Sequence, residues 1–539
     1  MADASNGATP ATDKAADPLA SASGLSLTML RRSANLWWLL AICITTGALC
    51  LPFLRYISWL GDEGILLHGA ERMLHGSRLY ADFFEFLPPG GFLIIAAWFH
   101  IAPISFLSVR FLTVLTIVGI ACFTFLAGRR ASSNAPLSAL FTVGWVMMCA
   151  GTWITVSHHW FTTFLTMIVS WAALSGISDE RHRLRWALIA GTAAGMAAMV
   201  IETQGALVMT AALIAFWYPR QRPAELLTYL AGCALVPLGI LFYLIETRDL
   251  IPAFRDVILF PATQYTSIQG VPFGWWADAQ NWPLKYLYPI AAVLAVLLSV
   301  YDRHVWRRDR VLLSCVALGG AGFASSFPRD DIGHIGVAAP LVLPLLLFCM
   351  ETLSRWWRPI YRYGALGMMM ALAVPSAHAY LWNTEGVERA RLLQTPRGRI
   401  AVRGLPGLGR LLQQIAATPP RDSYFFYPYI SMMPFLTARK DVSHYDIFTP
   451  DYTLPSQYQK ACISVMQHAS WIVIDRQWTD PKFLKSVFPA MRNPRPPETR
   501  RFEQALDRGF ELVATDGTFE LRRRLAGDAD PALCDRIAR

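Results

Sequence analysis

Of 539 residues, 54% are hydrophobic and only 16% charged, a balance that excludes an ordinary soluble protein and fits a chain crossing a bilayer many times. The formal net charge of +10 comes largely from arginines in short loops between apolar runs, where they meet an anionic membrane surface. It is therefore not the footprint of a nucleic-acid binder.

Residues 1–30 form an Ala/Ser/Asp-rich polar leader, expected to be disordered and cytoplasmic, with no evident cleavable signal. Membrane-length apolar runs follow near 34–56, 108–128, 136–156, 160–177, 184–201, 204–218, 226–245, 284–301, 310–326, 335–352 and 362–380. The run 90–107, with His100 and Pro103, is only marginally long enough. If it does not cross, the basic loops at Arg129-Arg130, Arg181, Arg220, Asp302–Arg310 and Arg355–Arg362 join Arg31-Arg32 on one side. The positive-inside rule then predicts about eleven spans, a cytoplasmic N-terminus, an outer C-terminus, and a re-entrant or surface-lying helix at 90–107.

Directly after the first run stands GDEGILLHGAERMLHGSRLYADFFEFLPPG, residues 61–90. Ile65, Leu66, Ala70, Met73 and Leu74 fall on one side of a helix suited to the bilayer surface. Gly76 ends it, and Arg78, Tyr80, Asp82 and Glu85 precede the rigid turn Pro88-Pro89-Gly90-Gly91. The adjacent carboxylates Asp62 and Glu63 admit two readings: Asp62 caps the helix, or it does chemistry at the lipid boundary.

Further polar groups fall in the remaining outer turns: His158-His159, Glu202-Thr203-Gln204-Gly205, and Arg329-Asp330-Asp331 with His334. The loop 246–283, with Tyr265, Trp275, Trp276 and Trp282, is either an anchored interfacial loop or a lid. Residues 381–539 read by composition as a separate small α/β domain. Strands are expected at 423–427 and 471–475, helices at 454–468 and 498–508, and a hairpin around Asp516-Gly517. Cys462 and Cys534 are the cysteines outside apolar runs and the candidates for pairing, without CxxC or metal-ligand spacing.

The order of Asp62-Glu63, Gly76-Ser77-Arg78-Leu79-Tyr80-Ala81-Asp82 and Pro88-Pro89 resembles the first periplasmic loop of the GT-C glycosyltransferases that use polyprenyl-phosphate sugars, such as aminoarabinose transferases and protein O-mannosyltransferases. The resemblance implies a polytopic α-helical GT-C-like membrane module at 31–380 and a periplasmic α/β domain at 381–539 in a bacterial inner membrane. It also implies transfer of a monosaccharide from a polyprenyl-phosphate donor to a glycan, lipid or protein acceptor, with inversion.

On this reading Asp62 is the general base or metal-orienting carboxylate and Glu63 its partner. The donor phosphate and substrate would meet Arg78, Asp82, Glu85, His158, His159, Gln204, Arg329, Asp331 and His334. A divalent cation, Mg or Mn, is an allowed cofactor, with Asp62 and His159 as its candidate ligands. The chain departs from many relatives in placing histidine at 158–159 where an acidic residue is common, and in lacking a lysine at 202–205. The alternatives are a transporter or flippase of lipid-linked sugars, or a non-catalytic membrane scaffold. Transport is disfavoured because the middles of the apolar runs carry almost no ionisable residues.

Overall fold

The computed structural model describes residues 35–149, 153–217, 223–278, 281–356, 358–525, 531–535 and 537; the leader at 1–30 and Arg31-Arg32 lie outside them. The helices are α1 (Asn35–Phe53), α2 (Asp62–Leu74), α3 (Gly90–Ile101), α4 (Phe106–Ala131), α5 (Ala135–Cys149), α6 (His158–Ser178), α7 (Arg183–Ala198), α8 (Glu202–Trp217) and α9 (Pro223–Glu246). Trp282–Tyr301, Arg310–Ser325, Ile332–Ala338, Leu343–Trp356 and Arg358–Glu388 follow.

Each apolar run expected to span falls on one of these helices. Among the described residues α1, α4, α6, α9 and Trp282–Tyr301 are long and apolar enough to cross a membrane by themselves. The run 335–352 is broken instead, with Ile332–Leu341 and Leu343–Ser354 meeting at a 58° bend. Its neighbours α5 and Arg310–Ser325 are shorter apolar helices. Close helix packing rests on small residues. A Cβ at Gly191 would fall 2.2 Å from the Tyr229 carbonyl, and one at Gly195 2.4 Å from that of Cys233, so α7 and α9 meet backbone to backbone along a four-residue glycine spacing.

At 12 residues, α3 is about 18 Å long, short of the roughly 30 Å hydrocarbon core. Both its ends sit at the same end of the bundle. Gly90 N–H donates to the Met199 carbonyl, and Phe106, where α4 begins, donates to Arg397 in the C-terminal region. These contacts hold the short helix between the α7–α8 turn and the C-terminal region. At the opposite end the basic loops gather, with Arg129 reaching Asn35, and Ser132 and Ser133 both donating to Glu351.

In the C-terminal region, β4 (Tyr424–Tyr427), β5 (Trp471–Asp475), β6 (Phe510–Asp516) and β7 (Phe519–Arg524) form a sheet of order β4-β5-β7-β6, parallel at β4/β5 and otherwise antiparallel. Gly517 takes the left-handed conformation in the hairpin, as Asp516-Gly517 predicts. Cys462 and Cys534 are joined in a disulfide.

The separate domain expected from residue 381 needs correction. The last long helix runs on to Glu388, and β1 (Tyr56–Ile57), just beyond α1, pairs in parallel with β3 (Gly398–Val402), itself antiparallel to β2 (Arg391–Thr395). A single apolar core then joins α2 and α3 to the C-terminal region, mixing Leu66, Phe83 and Phe92 with Ile430, Met432 and Phe435. Composition marks this region as non-membranous, but its inner face is built against the loop 57–107.

Candidate functional site

The first turn of α2 sends its two carboxylates in different directions, because successive helical residues project about 100° apart. Glu63 is buried, accepts from Arg110 Nη2 at 2.7 Å and takes the Val156 N–H at 3.1 Å. This is a correction to its role as catalytic partner: Glu63 is an anchor between α2, α4 and the turn before α6. Asp62 makes no capping hydrogen bond at this helix start. Its side chain accepts from the Tyr429 hydroxyl of the C-terminal region. Although surrounded by protein, it keeps accessible surface.

The loop between Arg310–Ser325 and Ile332–Ala338 supplies the opposing charge. Arg329 Nε donates to Asp331 Oδ2 at 2.9 Å, Nη1 to Gln269 Oε1 at 3.1 Å, and Nη2 to the Val487 carbonyl at 3.2 Å. The guanidinium lies 5.2 Å from both the Trp276 and Phe488 ring centroids. These contacts use three of its five N–H donors. Asp331 caps the next helix and holds His334 Nδ1 at 2.8 Å. Burial pushes the Asp331 carboxyl up, but His334 and Arg329 outweigh it and hold it below the usual carboxylate range.

Arg329, His334 and Asp331 are also the charges that Asp62 feels. Burial raises the Asp62 pKa above its ordinary value, opposed by the Tyr429 hydrogen bond and then by Arg329 and His334. Tyr265 and Tyr452 complete the wall: both interact electrostatically with Asp62, and their rings lie 6.1 Å apart. Tyr265 feels Glu202 as well, the first residue of α8. The 246–283 segment, expected as a loop but helical over most of Leu250–Gln269, thus brings Tyr265, Gln269 and Trp276 to this group.

His158 and His159 open α6 and lie beside this group. Their rings are 4.2 Å apart, and His159 stands 4.7 Å from His334, edge to face. Trp153 packs on both His159 and His334.

Other expected site residues have partners of their own. Arg78 is half-exposed, bonds Asp249 at 3.2 Å and the Thr247 carbonyl, and draws in Asp82, whose carboxylate accepts the Arg78 N–H at 2.7 Å. Both therefore tie the surface loop to the end of α9 rather than facing Arg329. Glu85 is buried in the field of Asp446, Arg72 and Asp256, and burial pushes it well above the usual carboxylate range. Gln204 is buried in α8, and it is Glu202 that the Tyr265 hydroxyl feels. Among the described residues no group of three or more His, Cys, Asp or Glu could hold a metal ion.

Tyr429, Tyr452 and Glu202 escape sequence reasoning as site residues. The tyrosines sit in a tail that reads as an independent domain. Glu202 stands two residues before Gln204 in a turn whose acidic member could have been chosen instead.

No protein-family model and no curated protein matches this chain. Solved structures do. ArnT from Cupriavidus metallidurans bound to undecaprenyl phosphate superposes with a TM-score of 0.55 at 15% identity, covering 92% of this chain and 98% of that one. The apo form of the same protein gives 0.57 at 13% identity, over 93% and 99%. The Archaeoglobus fulgidus oligosaccharyltransferase in complex with Zn and sulfate gives 0.50 at 11% identity, over 89% and 72%. These are GT-C glycosyltransferases, and at such identities the likeness is one of fold: the chain has the multi-pass GT-C membrane architecture.

Proposed function

We propose that this GT-C-fold membrane protein is a glycosyltransferase that moves a monosaccharide from a polyprenyl-phosphate-linked donor to a glycan, lipid or protein acceptor, with inversion, in a bacterial inner membrane. The N-terminus is cytoplasmic and the C-terminal region periplasmic on this reading. The observation that carries it is an accessible carboxylate, Asp62, held by the Tyr429 hydroxyl, on which Arg329 and His334 act as the favourable charges. The undecaprenyl phosphate held by the Cupriavidus protein supports the donor class.

Asp62 takes the proton of the acceptor hydroxyl or amine as that atom attacks the anomeric carbon. The bond from that carbon to the phosphate oxygen breaks. Negative charge grows on the departing polyprenyl phosphate, where the remaining Arg329 N–H groups and His334 stabilise it in a site of low dielectric. Tyr429 holds the Asp62 carboxylate in place, and Tyr265, Tyr452 and Trp276 offer flat faces and hydroxyls for the sugar.

The test uses cells lacking the chain, complemented with wild type or with Asp62→Asn, and mass spectrometry of the lipid-linked sugars. A polyprenyl-phosphate monosaccharide should accumulate without the protein, clear with wild type, and persist with Asp62→Asn present at normal abundance. Clearance by Asp62→Asn equal to wild type would overturn the assignment.

A further inference from the structure

The small sheet β1-β3-β2 is tied to the bundle by three helix ends. Two residues, Leu54 and Arg55, separate α1 from β1, and Arg389 and Ala390 separate Glu388 from β2. Phe106, at the start of α4, donates to the Arg397 carbonyl in the β2–β3 turn. Two residues reach at most about 7 Å, so this sheet lies directly at the ends of these helices.

What it shows there is amphipathic. Arg55, Arg391, Arg399 and Arg403 are exposed, and among the described residues no ion pair involves them. Their neighbours Arg389, Arg397 and Arg410 are instead matched by Glu385, Glu71 and Asp516. Beside them stand Leu392, 61% exposed, and Leu381 and Trp382 in the last turns of the long helix. Arg403 reaches that same helix end, where a Cβ on Gly386 would fall 2.4 Å from its guanidinium.

Between the hairpin and the glycine-rich segment 404–409 runs a groove of about 240 Å³, with Leu393, Val402, Leu405 and Pro406 in its walls and Arg391 among its lining. Arg391 pairs with Val402 across the hairpin, and Arg403 is the next residue along the chain, before Gly404 of the lining. Gly404 and Gly407 hold positive φ values of 78° and 90° that keep this segment clear of the strands. Apolar walls with guanidinium groups at the rim match an anionic amphiphile in both charge and polarity.

We propose that this groove and its arginines bind an anionic phospholipid of the surrounding bilayer, its phosphate on Arg391 and Arg403 and the adjoining apolar part on Leu392, Leu393 and Leu405. The contact fastens the C-terminal region to the membrane. It stands independently of any sugar transfer.

The test is native mass spectrometry of the full chain released from nanodiscs of mixed phosphatidylglycerol and phosphatidylcholine. Wild type should retain phosphatidylglycerol in preference. Each arginine removed in Arg391→Gln and Arg403→Gln should cut that preference about fivefold, the equivalent of about 1 kcal/mol per basic side chain at an anionic surface. The paired lysine variants should keep most of it. Arg500→Gln with Arg508→Gln, exposed charges on another helix, should leave it unchanged. Equal retention of both lipids by wild type, undiminished preference in the Arg391/Arg403 glutamine pair, or equal loss in the Arg500/Arg508 pair would each overturn the proposal.

Discussion

Arg110 Nη2 donates to Glu63 Oε2 across 2.7 Å with both side chains almost wholly buried. The pair fastens the first turn of α2 to α4 one residue from Asp62, and the Arg110 guanidinium also lies 4.7 Å from the Phe106 ring centroid. Removing one member strands a buried charge, which typically costs about 3–5 kcal/mol, whereas replacing both by apolar groups of similar volume is far milder. Arg110→Ala should therefore lower the thermal unfolding temperature of the purified full chain sharply, and Arg110→Met with Glu63→Leu should recover most of the loss. An Arg110→Ala protein as stable as wild type would show that the pair does not hold α2.

On the proposed function, Tyr429 should set the acid limb of activity. Its hydrogen bond favours the ionised form of Asp62, while burial has already raised that carboxyl above its ordinary value. Activity that needs ionised Asp62 falls as pH drops through this raised pKa. Tyr429→Phe removes a stabilising donor, so the limb should move to higher pH by about one to two units, the worth of a hydrogen bond to a charged group. The kcat/KM profile against pH checks this; an unmoved acid limb would separate Asp62 from the titration.

The raised pKa has a stability consequence of definite sign. Folded protein binds the Asp62 proton more tightly than unfolded chain, so stability from this group is present below its unfolded pKa and is lost as pH rises through the folded value. At neutral pH, Asp62→Asn should thus unfold at the wild-type temperature or above it. A marked fall would mean that Asp62 is chiefly structural.

Arginine roles should split. Arg329→Ala should lose about 2 kcal/mol or more of transition-state stabilisation in a transfer assay, as for a group on a desolvated phosphate. Arg78→Ala should stay near wild type, because that side chain is half-exposed and paired with Asp249 and Asp82. The reverse order would relocate the phosphate.

Docking of the C-terminal region depends on Gly64. A Cβ there would lie 2.0 Å from Met432 N and 2.2 Å from Ser431 C, backbone atoms that cannot turn aside. Gly64→Ala should cost about 1–3 kcal/mol, the range for overpacking, and should expose the segment around Met432 to limited proteolysis. Unchanged cleavage would show that the two surfaces have room to part.

Apolar length and composition determined the membrane class of this chain and the helices on which its apolar runs fall, since both follow from how local hydrophobicity matches a bilayer. Alternation and turn chemistry likewise gave away β4, β5 and the Asp516-Gly517 hairpin. Asp62 could be singled out only through the resemblance of residues 61–90 to the GT-C first loop, since spacing alone left a helix cap equally open. Only the tertiary structure decided what Asp62 and Glu63 each face, since neighbours on a helix share a sequence signal yet diverge by 100° in space. Tyr429, Arg329 and Tyr265 reach the cleft from three distant segments, and β1 finds β3 across most of the chain. Local periodicity tells which face of an element is buried; the partner waiting there is chosen by long-range packing and by charges that must be matched once water is gone.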